Sequence, residues 1–196
     1  MVLVLPLALA LTLGALLGGD IRRVAALRLR RVELFYVAIA LQLVAFPFGF
    51  MPWHVSDLVA RCLWLVSYGI LCAAAFVNAR IPGVPVIAAG MVSNIVAVAA
   101  NGGHMPALPQ ALHAAHKHYT VSLNSARDAT PHLPWLVDRW AVPRWVHLGN
   151  VYSFGDVVIA IGVIVLVLVA MRPRLVLRHV SKHPYAPQLR AAGDRR

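Results

Sequence analysis

Five apolar stretches constrain this chain more than anything else in it: Met1 to Gly19, about Val32 to Phe50, about Leu58 to Val77, about Val84 to Ala100 and about Ser153 to Met171. Each approaches the ~20 residues that a helix needs to cross ~30 Å of hydrocarbon, the fourth being the shortest. Composition agrees. Hydrophobic residues make up 60% of the 196 and charged residues 13%, with a mean hydropathy of +0.73. A soluble domain carries about half apolar and about a quarter charged residues, so this chain lacks the polar surface to face water. The sequence predicts an all-α protein: an integral membrane bundle of five transmembrane helices, with a short amphipathic helix in a long extracytoplasmic loop.

Orientation follows from the basic residues. The net charge is +11, but the arginines flank apolar segments instead of forming one soluble face, which argues against nucleic acid as a partner. Arg22, Arg23, Arg28, Arg30, Arg31, Arg80 and seven basic residues from Arg172 onward fall on one side, thirteen of the eighteen in all. Arg61, Lys117, Arg127, Arg139 and Arg144 fall on the other. The positive-inside rule then places the carboxyl terminus in the cytoplasm and the amino terminus outside, in a multi-pass inner membrane protein. The first segment lacks a basic residue ahead of its apolar run and reads as a retained helix, not a cleaved signal. Residues 1–172 form the transmembrane domain, including the extracytoplasmic loop 101–152, and 173–196 a basic cytoplasmic tail. Cys62 and Cys72 share one segment, roughly 15 Å apart on a helix, too far for a mutual disulfide.

The loop is the one stretch polar enough to build a site outside lipid. Leu108, Ala111, Leu112, Ala115 and Tyr119 recur at helical spacing behind Pro109, which suits a first turn. Further on, "PWLVDRWAVPRWVHLG" sets Trp135, Trp140 and Trp145 among apolar and basic neighbours, the composition of a membrane interface. The run "HAAHKH" invites a metal, but His113 and His116 lie about 60° apart on a helix, His118 falls away and no carboxylate is near, so no metal site is expected. Inside the apolar segments Gln42, Ser67, Tyr68, Ser93 and Asn94 suit interhelical hydrogen bonds, with Asn94 the best placed to line a pocket. Gly14 and Gly18 form a small-xxx-small pair for close helix packing.

Two short motifs stand at the ends of the loop. "NGGHMP" closes the fourth segment: Gly102 and Gly103 permit positive φ, and Pro106 prevents continuation. The same glycines would let backbone amides approach a ligand beside Asn101 and His104. "NVYSFGDVVIAIG" opens the last segment. Ser153 followed three residues later by Asp156 has the form of a capping box, with Asp in place of Glu or Gln. A carboxylate beside a membrane is also a functional suspect, and capping does not exclude that role. Both motifs leave the membrane on one face, so Asn101, Gly102, Gly103, His104, Asn150, Ser153, Gly155 and Asp156 form the candidate ligand-binding set. No serine-histidine-aspartate arrangement, phosphate loop or nucleotide fingerprint is present.

With "NGGHMP", "LVDRW" and "VYSFGDVVIAIG", the chain resembles a family of uncharacterised bacterial polytopic membrane proteins, a domain of unknown function. The resemblance extends to about Met171. It implies the membrane topology, directs attention to Asn101, Gly102, Gly103, Ser153, Gly155 and Asp156, and brings no activity or cofactor. Members often carry an aromatic residue where His104 stands. Three functions remain: a non-catalytic binding or scaffold protein for membrane lipid, a small ligand or a partner membrane protein; a membrane-embedded enzyme acting on a lipid-linked or extracytoplasmic substrate, with Asp156 as acid or base; and a small transporter. The scarcity of ionisable groups within the segments favours the first.

Overall fold

A computed structural model of the chain describes residues 4–46, 55–116, 121–122, 125–142 and 151–172. In chain order the elements are α1 (Val4–Leu16), α2 (Arg22–Ala25), α3 (Glu33–Ala45), α4 (Asp57–Val77), α5 (Val84–Ala100), β1 (Met105–Ala107), α6 (Pro109–Ala114), β2 (Val121–Ser122), β3 (Ser125–Arg127), β4 (Trp140–Ala141), β5 (Val151–Tyr152) and α7 (Phe154–Met171). Every apolar stretch carries a helix; α4, α5 and α7 match theirs closely, while α1 and α3 are described over fewer residues. Among the described residues two are long and apolar enough to cross a membrane, α4 with 21 residues and α7 with 18. At 1.5 Å per residue, the 13 residues of α1 or α3 reach only about 20 Å. The 17 of α5 fall just short of a full crossing. Of the five spans expected from the sequence, the described residues thus show two helices of spanning length and three shorter apolar ones.

Local chemistry sets these ends. Gly18 adopts φ +76°, and the Gly19 N–H turns back to the Gly14 carbonyl, closing α1. The residue before a proline is pushed out of helical geometry, and Phe46, at φ −128° ahead of Pro47, ends α3. Gly102 and Gly103, at +70° and +89°, end α5 as the sequence predicts.

The helices pack in the order α3, α4, α5, α7, α1, with α2 against α7. The α5–α7 seam depends on four glycines, each pair seven residues apart: Gly83 and Gly90 on α5, Gly155 and Gly162 on α7. Seven residues are two turns, so each pair lies on one face. The helices run antiparallel, Gly83 meeting Gly162 and Gly90 meeting Gly155. A Cβ on Gly90 would stand 2.5 Å from the Gly155 carbonyl, so the backbones are already in contact. Across the α1–α7 seam, Ala10 and Gly14 pack on Val167 and Met171. The small-xxx-small pair in that seam is therefore Ala10–Gly14, and Gly18 serves the helix end instead. Gln42 on α3 donates to Ser67 on α4 at 3.1 Å, an interhelical bond of the kind expected.

Among the described residues, Arg22, Arg23, Arg28, Arg30, Arg31, Arg80 and Arg172 belong to the segments at one end of this bundle, and Arg61, Arg127 and Arg139 to those at the other. Asn78 clips the arginine-rich end together. Its Nδ2 donates to the Ala74 and Arg30 carbonyls at 2.8 and 2.9 Å, and its Oδ1 accepts the Arg30 N–H at 2.8 Å. Asn78→Ala leaves three backbone groups without that partner, and a loss of about 2 kcal/mol is expected. Reversible unfolding in detergent micelles measures it; a change within about 0.5 kcal/mol, typical of a bland surface site, would remove the clip from the account.

The long loop is not helical throughout, which corrects the all-α reading. β1 pairs in parallel with β3, β3 antiparallel with β2, and β4 antiparallel with β5, while an isolated Ala107–Asp138 bridge ties β1 to the segment just ahead of β4. The amphipathic helix is the six-residue α6. Pro109 sits in its first turn as expected, and His116, at φ +52°, lies just past its end. Tyr119, assigned to it from spacing, lies outside the described residues. Ala111 and Leu112 pack with Ala107 and Val151 to hold α6 and the strands together. Tail residues 173–196 also lie outside the described set.

Candidate functional site

The start of α7 shows what "SFGD" does. Ser153 is fully buried, and its Oγ accepts the Asp156 N–H at 3.1 Å while Asp156 Oδ2 accepts the Ser153 N–H at 3.2 Å. This is the complete capping box, with Asp reaching where Glu or Gln usually does. Asn94, two turns before the end of α5, ties the box to the neighbouring helix. Its Nδ2 donates to Asp156 Oδ1 at 3.0 Å, and its Oδ1 accepts the Ser153 hydroxyl at 2.8 Å. Both Asp156 oxygens therefore have hydrogen-bond donors, one from the backbone and one from α5. Gly155 makes this possible: a Cβ there would collide with Asn94 Oδ1. The glycine of the motif leaves room for a cross-helix hydrogen bond.

Two further polar groups lie beside this network. The Tyr68 hydroxyl of α4 stands beside the Asn94 amide, and the Tyr68 ring packs on Trp64 with centroids 4.3 Å apart. Asp138 comes from the cap, where its N–H donates to the Pro106 carbonyl and its own carbonyl accepts the Leu108 N–H, both at 2.9 Å. Those two bonds hold its backbone in the strand layer while the residue remains only 6% exposed. Burial, reinforced by the negative charge of Asp156, pushes its carboxyl up to about 7, with a hydrogen bond to Ser125 pulling the other way. Two carboxylates, one from the cap and one at the start of α7, thus interact at the junction of bundle and cap. One holds a helix cap; the other changes charge near neutral pH.

The "NGGH" corner has separate work. Asn101 repeats the Asn78 arrangement: Nδ2 donates to the Ala97 carbonyl at 2.7 Å and the His132 carbonyl at 2.9 Å, and Oδ1 accepts the His132 N–H at 2.8 Å. Gly102 offers its carbonyl to Arg61 at 3.0 Å, and Gly103 packs so closely that a Cβ would lie 3.0 Å from Arg61 Cδ. His104 is held below its ordinary pKa by burial, then by the Arg61 guanidinium. The two corners lie at the same end of the bundle. Among the described residues no hydrogen bond joins them directly, and Asn94 and Asn101, seven residues or about 10 Å apart on α5, are the link. Asn150 lies outside the described residues. His113 and His116 have ring centroids 6.3 Å apart, and among the described residues no three metal-ligating side chains converge.

Sequence reasoning singled out Asn94 but missed what Asp138 does, because a residue in an isolated bridge leaves no alternating pattern to show that it is buried. The heptad spacing of Gly83–Gly90 and Gly155–Gly162 was the available signal for the α5–α7 seam.

These features define a mainly helical protein with two membrane-span candidates and a small strand-built cap over one end. The chain belongs to a family of unknown function, DUF5317, whose model matches residues 26–168. The match takes in "NGGHMP", "LVDRW" and nearly all of α7. No curated protein and no solved structure matches the chain.

Proposed function

We propose that this chain is a multi-pass protein of a bacterial inner membrane, its five apolar helices threading the lipid with the amino terminus outside and the carboxyl terminus in the cytoplasm. Its role is non-catalytic: the extracytoplasmic cap and the bundle mouth bind a small ligand or a partner membrane protein. Large apolar side chains exposed along every main helix, from Leu5 to Val165, support the lipid setting, since a soluble monomer rarely leaves such continuous apolar surface uncovered. The gathering of basic residues at one end supports the orientation. The observation that carries the binding reading is the use of both Asp156 oxygens as hydrogen-bond acceptors within the fold, which suits a fixed scaffold better than an acid or base free to meet substrate.

One observation favours the enzyme reading. Asp138, raised to about 7 and sensing Asp156, is a carboxyl able to hold or release a proton near neutrality. Purification in mild detergent followed by native mass spectrometry separates the two readings. A small molecule or partner retained unchanged by wild type and lost from Asp138→Ala supports binding; recovery of a chemically altered molecule supports catalysis; a clean, empty monomer counts against both. Topology is tested in a Cys62→Ala, Cys72→Ala background. His104→Cys and Asn150→Cys should react with an impermeant maleimide from outside the cell and Arg80→Cys only after lysis. The reverse pattern would overturn the orientation.

A further inference from the structure

Arg139 follows the buried Asp138 and is itself only partly buried. Its guanidinium is 4.9 Å from the Trp135 ring centroid and 5.4 Å from that of Trp140. Trp135 is 72% exposed and Trp140 39% exposed, so two indoles and a cation stand together at the surface. Among the described residues no carboxylate pairs with Arg139. Its sequence neighbour Asp138 is buried and forms no ion pair with it.

The register fixes the depth of this cluster. Trp140 pairs with Tyr152 across β4 and β5, their rings 6.1 Å apart, and Tyr152 lies two residues before α7 begins. Phe154, the first residue of α7, is exposed. The cluster therefore stands level with the point where the apolar helix starts. Indoles prefer the headgroup level of a bilayer, and a guanidinium offers paired donors matched to a phosphodiester. A cation already stacked on aromatic faces has less side-chain freedom left to lose when the phosphate arrives.

We propose that Trp135, Arg139 and Trp140 form a headgroup clamp for an anionic phospholipid of the outer leaflet, Arg139 taking the phosphodiester while the two indoles sit among the glycerol esters. The proposal rests on the membrane reading above, and its test keeps the two apart. Full-length wild type, Arg139→Gln and Trp135→Leu would be reconstituted in vesicles of phosphatidylcholine with or without 30% phosphatidylglycerol, then extracted gently for native mass spectrometry. If none of the proteins floats with vesicles, the membrane reading fails. If all float, wild type should retain phosphatidylglycerol over phosphatidylcholine, and Arg139→Gln should lose about fivefold of that preference, the effect of one basic residue at an anionic surface. Trp135→Leu should weaken retention of both lipids. Floating proteins that show no lipid preference, an Arg139→Gln variant that matches wild type, or displacement of the lipid by millimolar inorganic phosphate would overturn the clamp. Unchanged circular dichroism melting in both variants confirms that the fold is intact; if Arg139→Gln melts early, Arg139→Lys replaces it and should keep part of the preference.

Discussion

Gly155→Leu is expected to prevent formation of the α5–α7 pair. Even a Cβ at 155 would collide with Asn94 Oδ1 and stand 2.5 Å from the Gly90 carbonyl, and neither group can retreat cheaply. One is backbone in a helix; the other is held by Ser153 and Asp156. Overpacking costs about 1–3 kcal/mol, and each buried polar group that loses its partner adds about 1–3 more. Displacing Asn94 would strip a donor from Asp156 and an acceptor from Ser153, so the sum is on the order of 5 kcal/mol, much of the stability of a typical domain. The readout is the monodisperse fraction on size exclusion in detergent. Gly155→Ala should fold but melt lower, by about 2–3 kcal/mol. Gly69→Ala is the control: nothing lies within 4 Å of a Cβ there, and replacing a mid-helix glycine should stabilise α4 by about 0.5–1 kcal/mol. Equal melting of Gly155→Ala and Gly69→Ala would refute the close approach.

Asp138→Asn should remove a pH dependence of stability. The folded carboxyl is pushed up to about 7 while the unfolded one stays near its ordinary value of 3.8, so between these values the folded state holds the proton more tightly. A raised carboxyl contributes stability that is fully present below about pH 4 and is lost as pH rises through about 7. The size is on the order of 4 kcal/mol. Wild type should therefore lose stability from pH 4 to 8, measured by denaturant unfolding in detergent, and Asp138→Asn should flatten that decline. The variant should match or exceed wild type at pH 8, where wild type carries a buried charge. Asp156→Asn removes the second cause of the shift, and the midpoint of the decline should move to lower pH. A wild-type minus variant difference that stays constant from pH 4 to 8 would sink the assignment.

Much of the site was legible, and for local reasons. A helix start needs a side-chain acceptor for its free N–H groups, so Ser153 and Asp156 at a spacing of three announced the cap. Gly102 and Gly103 after an apolar run announced the stop. Helix lengths were less legible, because hydropathy continues past residues such as Gly18 that turn the backbone. The loop strands are two or three residues long, too short to leave an alternating pattern, so their pairing was invisible. Spacing also carried the amphipathic helix to Tyr119, although α6 ends at Ala114 with His116 in a left-handed conformation just beyond.

By itself the sequence determined what depends on neighbours along the chain: apolar helices, their polar ends, the charge asymmetry and the capping box. Tertiary structure decided which groups meet across 48 to 65 residues of sequence, Asn78 with Arg30, Asn94 with Asp156 and Gly90 with Gly155, and it set Asp138 in the buried junction. Backbone preference and hydropathy are read within a turn or two. A partner that arrives from a distant segment is selected by shape and hydrogen-bond geometry only after the helices have packed.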